Sequence, residues 1–597
     1  MATLNNSGEA SSAGGKPQAA GRMRFPVCAL LILTTNVMLW LAFPPAGVWP
    51  LALFALAPLT LAILGRPGGI WPLLLLWTGG FIYFLVASFW LIPVTVGGYI
   101  GLSLYMGIYF PIFGVLLRIW VVRLRVPVLL AVPLAFTAAE YVRSTFMSGF
   151  SWFMVGTALA PCKPLLQCAD LAGVSGLTFL CGIAAGALVE ILQRGEGPHG
   201  VAADGGIYQS GVNRKKVVHG AVALLILAGG CAYGGYRLTQ RGVISPGPLV
   251  AVVESHIPQA LKDTQTAADE QAMFRAFCAQ SVAAAKTHPN LNLIVWPETM
   301  VPGDLNRAWL DMSAEDFLPG HGRGELKRDQ GYAKKLIALS RQTGAAFLVG
   351  SGGIHFGSNG RPDKLQNISV FFTPQHGLTG HPYAKHHLVP FGEYIPFKQT
   401  GPLIHKWLLD LTPYGPNGVY SLTPGTKWRR FVLHVGKHRW HFGTPICYED
   451  AMPHPCRMLA RPRGGKKGTA FLVSISNDGW YSSNAELLQH LQLSEVRAVE
   501  NRVSIARSVN GGDSGLVDSD GRVLKLAGPP AGKGKLVGGV AVGRLPIDRR
   551  ISLFSRTGDL LARSLVLLNL LAVGGVWTWD LGGWLMNIRK KQAFLGV

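Results

Sequence analysis

Three short segments of this 597-residue chain end in side chains that could do chemistry together. LIVWPE places Glu298 just past an apolar run, YAKHHLVPFGEYIPF places Lys385 and Glu393 in a stretch punctuated by Pro and Gly, and TPICYED places Cys447 at the exit of another apolar run. Catalytic groups are often held at strand ends and in loops, where a rigid scaffold fixes them and substrate still has access. A thiol is a weak nucleophile until it loses its proton, so Cys447 needs a base or a cationic neighbour. Glu298, beside Trp296 and Pro297, is the candidate to accept that proton. Lys385 could then stabilise the negative oxygen of a tetrahedral acyl-transfer intermediate, helped by backbone N–H groups near Cys447 and Tyr448. Taken singly, each residue has a duller role: a buried hydrophobe for the Cys, a cap for the Glu, a solvated charge for the Lys.

The elements that must position these groups are short β-branched runs separated by helical stretches, beginning at Pro248: PLVAVVES, LNLIVWPET, AAFLVGSGG, NISVFFTP, WHFGTPICYED, TAFLVSISND and SIARSVNGGDSGLVDSDGRV. Continuous rather than alternating apolar runs read as buried strands in an α/β layer architecture. The sparse helical sequence between 369 and 442 favours a mixed over a fully parallel sheet. Two polar, Gly-rich stretches, 193–216 and 303–330, read as loop insertions. No metal or cofactor is expected. His386 and His387 are adjacent, so their side chains diverge, and no HExxH or CxxC frame accompanies them; GGKKG at 464–468 lacks the phosphate-loop spacing.

The rest of the chain is a different material. Overall 49% of residues are hydrophobic and only 15% charged, against about 25% charged in an ordinary soluble domain. Residues 1–21 read as a disordered tail. Apolar stretches near 25–43, 47–65, 69–91, 95–122, 126–144, 170–192 and 217–236, and a last one near 560–586, are each long enough to span about 30 Å of hydrocarbon. That predicts about eight transmembrane helices, seven within 22–237 and one within 557–588, enclosing an outward domain over 238–556. Lys and Arg concentrate in alternate loops and in the tails, including the 589–597 tail, which puts both termini in the cytoplasm and the enclosed domain on the other side. Glu140, Arg143, Asp170 and Glu190 fall near predicted span ends, where charged side chains can snorkel to the interface. The net charge of +23 then argues for membrane headgroups or a plain solvated surface rather than DNA or RNA.

In this order and with these flanks, VWPE (295–298), KHHLVPFGEYIPF (385–397), ICYED (446–450) and SNDGWY (476–481) resemble the Glu–Lys–Cys triad segments of the nitrilase, or carbon–nitrogen hydrolase, superfamily. Set between spans, and joined by PLLQCADLAGVSGLTFL (164–180), they resemble the apolipoprotein N-acyltransferases of bacterial inner membranes. The resemblance implies an αββα sandwich with Glu298 as base, Lys385 as oxyanion-stabilising cation and Cys447 as nucleophile. It also implies that Glu393 supports the triad, that Tyr448 and Glu449 are the essential flank of the nucleophile, and that Asn477 and Trp480 lie in the pocket wall. One departure is visible: Ile257, Pro258, Gln259 and Lys262 fit the family, but Asp263 stands where an aromatic is expected.

The implied reaction is ping-pong acyl transfer without a cofactor. The sn-1 chain of a phospholipid, phosphatidylethanolamine-like, would pass through a thioester on Cys447 to the α-amine of an S-diacylglyceryl-cysteine apolipoprotein, at a periplasmic site on a multi-pass inner-membrane protein. The apolar stretch 403–411 reads either as an arm dipping into the bilayer interface or as a core helix. Two other readings remain: a membrane-tethered amidase or nitrilase-type hydrolase sharing the triad, and a permease whose outward domain only binds ligand.

Overall fold

The computed structural model describes residues 23–594 apart from 67, 194–213, 258–265, 314–321, 358–361, 396, 399, 411–420, 482 and 532–537. The 1–21 tail, Pro258, Gln259, Lys262, Asp263 and most of the 193–216 insertion lie outside the described residues.

The N-terminal part is helical: α1 (Phe25–Ala42), α2 (Leu56–Leu64), α3 (Ile70–Ala87), α4 (Val96–Gly107), α5 (Tyr109–Arg118), α6 (Val128–Thr145), α7 (Lys163–Leu166), α8 (Ala169–Leu192) and α9 (Arg214–Thr239). Among the described residues six helical stretches are long and apolar enough to cross a bilayer: Phe25–Ala42, Ile70–Ala87, Val96–Arg123, Ala169–Leu192, Arg214–Thr239 and Leu560–Trp579. The other two expected spans are built differently. The 47–65 run is a 3-10 turn followed by the nine-residue α2, and α6 carries Pro133, Glu140 and Arg143.

Those charges do not snorkel. Glu140, Arg143 and Asp170 are 3%, 3% and 1% exposed, and a buried charge must find partners. Glu140 accepts the Val155 N–H at 2.7 Å and the Thr178 hydroxyl at 2.6 Å, while Arg143 donates to the carbonyls of Phe150 and Trp152 at 3.0 and 2.8 Å. Both side chains thus supply the hydrogen-bond partners that the irregular chain after α6 cannot supply itself. Glu190 accepts the Leu129 N–H at 3.0 Å and pairs with His219.

The enclosed domain is a four-layer sandwich. Its strands are β1 (Ile244–Ser245), β2 (Leu249–Val253), β3 (Leu293–Val295), β4 (Ala346–Phe356), β5 (Pro362–Thr373), β6 (Gly377–Ala384), β7 (Phe431–Val435), β8 (His438–Gly443), β9 (Phe471–Asn477), β10 (Ser504–Asn510), β11 (Gly515–Val517), β12 (Val523–Leu526), β13 (Val540–Arg544) and β14 (Ile547–Asp548). They form two six-stranded sheets, β13-β2-β3-β4-β5-β6 and β12-β11-β10-β9-β8-β7, with β1 and β14 paired separately. β2, β3 and β4 run parallel, as do β8, β9 and β10, and the outer pairings are antiparallel, the mixed pattern expected.

Each central strand is buried on both faces, which is why its sequence is continuously apolar. Val250, Val252 and Leu348 pack between the sheets against Phe442, Leu472 and Ile505. Ala251, Val253 and Phe347 face the other way, toward Phe274 and Phe277 of α10 (Ala267–Thr287) and Leu336 of a helix over Arg323–Thr343. The latter helix and the short α11 (Arg307–Leu310) overturn part of the loop expected over 303–330; we label it α12. α13 (Pro402–Asp410) is a helix, but Leu403 and Ile404 are 86% and 52% exposed, so it is not a core helix.

α14 (Tyr448–Ala451), α15 (Pro453–Ala460) and α16 (Asn484–Asn501) cover the second sheet, and α17 (Leu553–Thr557) leads into α18 (Leu560–Phe594). The two halves share one core, in which Tyr448, Leu493, Val496 and Val499 join Trp152, Val155, Leu159 and Leu166. The joint is also ionic. Asp170 of α8 accepts from Arg237 at 2.7 Å and Arg502 at 2.6 Å, and Glu500 accepts the Val174 N–H at 2.7 Å beside the kink in α8 at Ala172 and Gly173. At the other end of the chain, Asn569 of α18 accepts from Trp120 at 2.8 Å and donates to the Leu134 carbonyl at 2.9 Å.

Candidate active site

Glu298, Lys385 and Cys447 each follow the end of a strand. Glu298 comes three residues after β3, and β4 passes so close that a Cβ on Gly350 would lie 2.6 Å from the Glu298 Cα, so only glycine fits there. Lys385 follows β6, where its N–H donates to the Asn367 carbonyl at 2.9 Å. Cys447 follows β8 as the residue before α14, with φ +50° and ψ −119°. A non-glycine residue in that region is strained and persists only where its surroundings hold it. Here the Cys447 N–H donates to the Ile475 carbonyl at 2.7 Å. That bond alters one expectation. The Cys447 amide is spent on β9, whereas the Tyr448 amide, at the first position of α14, has no acceptor among the described residues.

The Lys385 ammonium is 1% exposed and donates to Glu298 Oε1 at 3.3 Å and Glu393 Oε1 at 2.8 Å. Asn367 Nδ2 donates to the same two oxygens, at 2.6 and 3.1 Å. The other Glu298 oxygen accepts the Asn477 N–H at 2.8 Å, and the other Glu393 oxygen accepts that of Val389 at 2.8 Å. Two carboxylates therefore share one cation and one amide, with their remaining lone pairs fixed by backbone.

Burial, and then the nearby Glu298 carboxylate, push the Cys447 thiol well above its ordinary range, more than Lys385 pulls it down. Burial alone would lower Lys385, but Cys447, Glu393 and Glu298 surround it and hold it well above its usual value. At neutral pH the resting pair is thiol and ammonium, so the thiol must give up its proton during the reaction. All the cysteines, Cys447 among them, are free thiols.

Glu449 joins the Lys385 and Cys447 segments. It accepts the N–H groups of Ile446, His386 and His387 at 2.9, 2.8 and 3.2 Å and the Tyr383 hydroxyl at 2.9 Å. Burial pushes it up to about 7 against the downward pull of those backbone donors. Tyr448 donates to the Gly149 carbonyl at 3.0 Å and lies parallel to Trp152, with ring centroids 6.4 Å apart. Asn477 Oδ1 accepts from Asn510 at 2.7 Å. Trp480 sits half-buried on the turn after β9.

Sequence reasoning missed Asn367, which stands in an ordinary strand run, and Tyr481, whose ring meets Trp90 edge-on at 5.0 Å. It also missed a buried ionic network behind the nucleophile. His490 lies between Asp450 (2.5 Å) and Asp478 (2.9 Å), and Arg507 reaches the same two carboxylates at 2.8 and 3.0 Å. Burial and Arg507 lower His490, but the two aspartates outweigh them and raise it to about 10. Asp478, Glu486 and His490 bring three potential ligand atoms within 4.8 Å of one another, yet both imidazole nitrogens and both aspartates are already engaged in this ion-pair network. His386 and His387 turn to different partners, the Ala384 and Ser148 carbonyls at 2.9 and 2.7 Å.

Residues 36–187 match the apolipoprotein N-acyltransferase N-terminal domain, and residues 249–544 match the carbon–nitrogen hydrolase family. The chain is 28% identical over 548 residues to the apolipoprotein N-acyltransferase of Geobacter metallireducens, covering 89% of this chain and 92% of the relative. It is 26% identical over 602 residues to that of Rhodopirellula baltica, covering 93% and 97%. Among solved structures, Saccharomyces cerevisiae Nit3 of the nitrilase superfamily aligns at 18% identity and a TM-score of 0.33, covering 53% of this chain and 96% of Nit3. An amidase from Nesterenkonia sp. aligns at 17% identity and 0.32, covering 53% and 96%. With both halves matched in the same order over nearly their full length, the chain belongs to the apolipoprotein N-acyltransferase family of acyl-transferring enzymes within the carbon–nitrogen hydrolase superfamily.

Proposed function

We propose that this enzyme transfers an acyl chain from the sn-1 position of a phospholipid, phosphatidylethanolamine-like, to the N-terminal α-amine of an S-diacylglyceryl-cysteine apolipoprotein. The observation that carries the reading is the seat of Cys447: its thiol feels the charges of Glu298 and Lys385, while its flanking Tyr448 rests on Gly149 and Trp152 of the helical N-terminal part. A nucleophile placed there meets substrates that are themselves anchored in the bilayer.

Glu298 takes the Cys447 proton as sulfur attacks the ester carbonyl. Lys385 and the Tyr448 amide hold the resulting oxyanion. Collapse expels the lysophospholipid alkoxide, which takes the proton back from Glu298 and leaves the thioester. The α-amine of the acceptor then attacks the thioester carbonyl and gives its proton to Glu298, which passes it to the departing Cys447 thiolate as the N-acylated lipoprotein leaves. Glu393 and Asn367 fix the Lys385 ammonium and the Glu298 carboxylate in place. The distribution of loop charges supports a bacterial inner-membrane location with both termini cytoplasmic and the site periplasmic.

The test is intact-mass detection of an acyl adduct on purified enzyme given a phospholipid labelled in its sn-1 chain. The adduct should be removed by hydroxylamine, be absent in Cys447→Ala, and move to a diacylglyceryl-cysteine peptide. Decay to free fatty acid in the presence of that peptide would make the enzyme a hydrolase instead.

A further inference from the structure

The stretch from Lys427 to Gly468 holds ten Lys and Arg residues and only two acids, Glu449 and Asp450, both committed to the buried networks behind Cys447. The excess gathers at the open end of the sandwich, where the unpaired edges of β6 and β7 border a cleft of about 800 Å³ lined in part by Arg429, Arg430, Arg463 and Lys467. Arg461, Arg463 and Lys466 are exposed, and among the described residues none of these six cations forms an ion pair. Arg430 spends its guanidinium on carbonyls, those of Leu459, Gly468 and Arg461 at 2.6, 3.0 and 2.9 Å. Lys467 does likewise, donating to Arg502, to Asp548 at 2.6 Å and to Arg550 at 3.0 Å. Burial and the neighbouring Arg463 and Arg461 lower Arg430 to about 10, the mark of positive charge left without a counter-charge.

The patch is tied to the ends of two apolar spans. Arg550, whose carbonyl Lys467 holds, donates to the Arg237 carbonyl at 2.8 Å near the end of α9. Arg457, one turn before Arg461 and partly balanced by Asp559, donates to the carbonyls of Phe554 and Arg556 just ahead of α18. α9 and α18 are also the spans least covered by protein, with 11% and 17% of their apolar windows buried; lipid must fill the rest. Uncompensated cations above two lipid-facing helices meet the phosphates of the adjacent leaflet at short range.

We propose that the exposed Arg461, Arg463 and Lys466, with Arg430 and Lys467 behind them, form a docking site for anionic phospholipid headgroups at the outer ends of α9 and α18. This lipid is distinct from the acyl donor: the site lies at the sandwich edge, and its occupancy does not depend on the acyl-transfer reading above.

Native mass spectrometry of the full-length protein, titrated separately with dioleoyl phosphatidylglycerol and zwitterionic dioleoyl phosphatidylethanolamine, tests it. The unsubstituted protein should retain phosphatidylglycerol at concentrations at least tenfold lower, a preference that added salt erodes. The exposed triple variant R461A/R463A/K466A should lose that preference while forming the Cys447 acyl adduct at the unsubstituted rate, and R461K/R463K should keep it. Equal retention of the two lipids by the unsubstituted protein, or an undiminished preference in the triple variant, overturns the proposal. Loss of the acyl adduct from the unsubstituted protein would instead overturn the acyl-transfer reading and leave this one standing.

Discussion

Replacing Glu298 by Gln isolates the proton transfer on which the proposed chemistry depends. The substitution is nearly isosteric in a site where Oε1 accepts from Asn367 and Lys385 and Oε2 from the Asn477 N–H. If the Gln oxygen stays on Asn367 and Lys385, its NH₂ faces the Asn477 N–H, and one unsatisfied donor costs about 1–3 kcal/mol, too little to unfold the protein. The chemical cost is larger. An unperturbed thiol with a pKa near 8.5 is only about 3% ionised at pH 7, and burial pushes Cys447 well above its ordinary range, so without a base almost no nucleophile exists. A positioned general base contributes about 10²–10⁴ in rate, or about 3–5 kcal/mol. Following the acyl adduct of the full-length enzyme by intact mass over time, Glu298→Gln should therefore acylate about 10²–10⁴ times more slowly at pH 7. Its rate should also climb about tenfold per pH unit up to pH 9, since hydroxide alone now makes the thiolate. Acylation within tenfold of the unsubstituted enzyme, or a flat pH profile in the variant, would refute the assignment of Glu298 as base.

Other perturbations follow from the same geometry. Lys385→Met leaves Glu298 and Glu393 buried without their cation, a loss of about 3–5 kcal/mol, so thermal denaturation in detergent should show a lower Tm together with abolished acylation. Asn367→Leu removes the one amide that donates to both carboxylates; hydrogen bonds to charged groups are worth about 1.5–3 kcal/mol, and kcat should fall about 10–100-fold with KM for phospholipid unchanged. His490 is raised to about 10 in the folded state, above an unfolded value near 6.5. Its stabilising contribution is therefore complete below pH 6.5 and lost as pH rises through about 10: Tm should fall between pH 7 and 10, and His490→Gln should flatten that fall. Leu403→Asp with Ile404→Asp on the exposed face of α13 should raise KM for phospholipid several-fold and leave the acyl-transfer step to peptide unaltered, as expected if that face dips into the interface.

Strand positions were legible in the sequence because a strand buried on both faces must be continuously apolar, as LVAVV and FLVSISN are. The candidate residues Glu298 and Cys447 were legible because each follows an apolar run, and Lys385 because it stands in a stretch punctuated by Pro and Gly. Asn367 was not: it lies inside the run of β5, and nothing local distinguishes an Asn that faces two carboxylates from one that faces solvent. The charges of α6 and α8 were misplaced for a related reason. Hydropathy along a span reports how far a residue is from its ends, and carries no information on the partners that the loop after α6, or Arg502 more than 300 residues away, brings to Glu140, Arg143 and Asp170. The 303–330 stretch read as loop because its glycines and charges hid α11 and the first turns of α12.

The anchoring of α18 bears on how the protein is made. Asn569 locks the last helix onto Trp120 and the Leu134 carbonyl, so the membrane bundle assembled from the first part of the chain stays open along that side until translation has passed through the whole enclosed domain. That domain must meanwhile settle Arg502 and Glu500 onto α8. Biosynthesis therefore completes the bundle only when α18 joins α6 and Trp120 at the end, and a chain halted before residue 560 presents the cell with a bundle lacking its final stave.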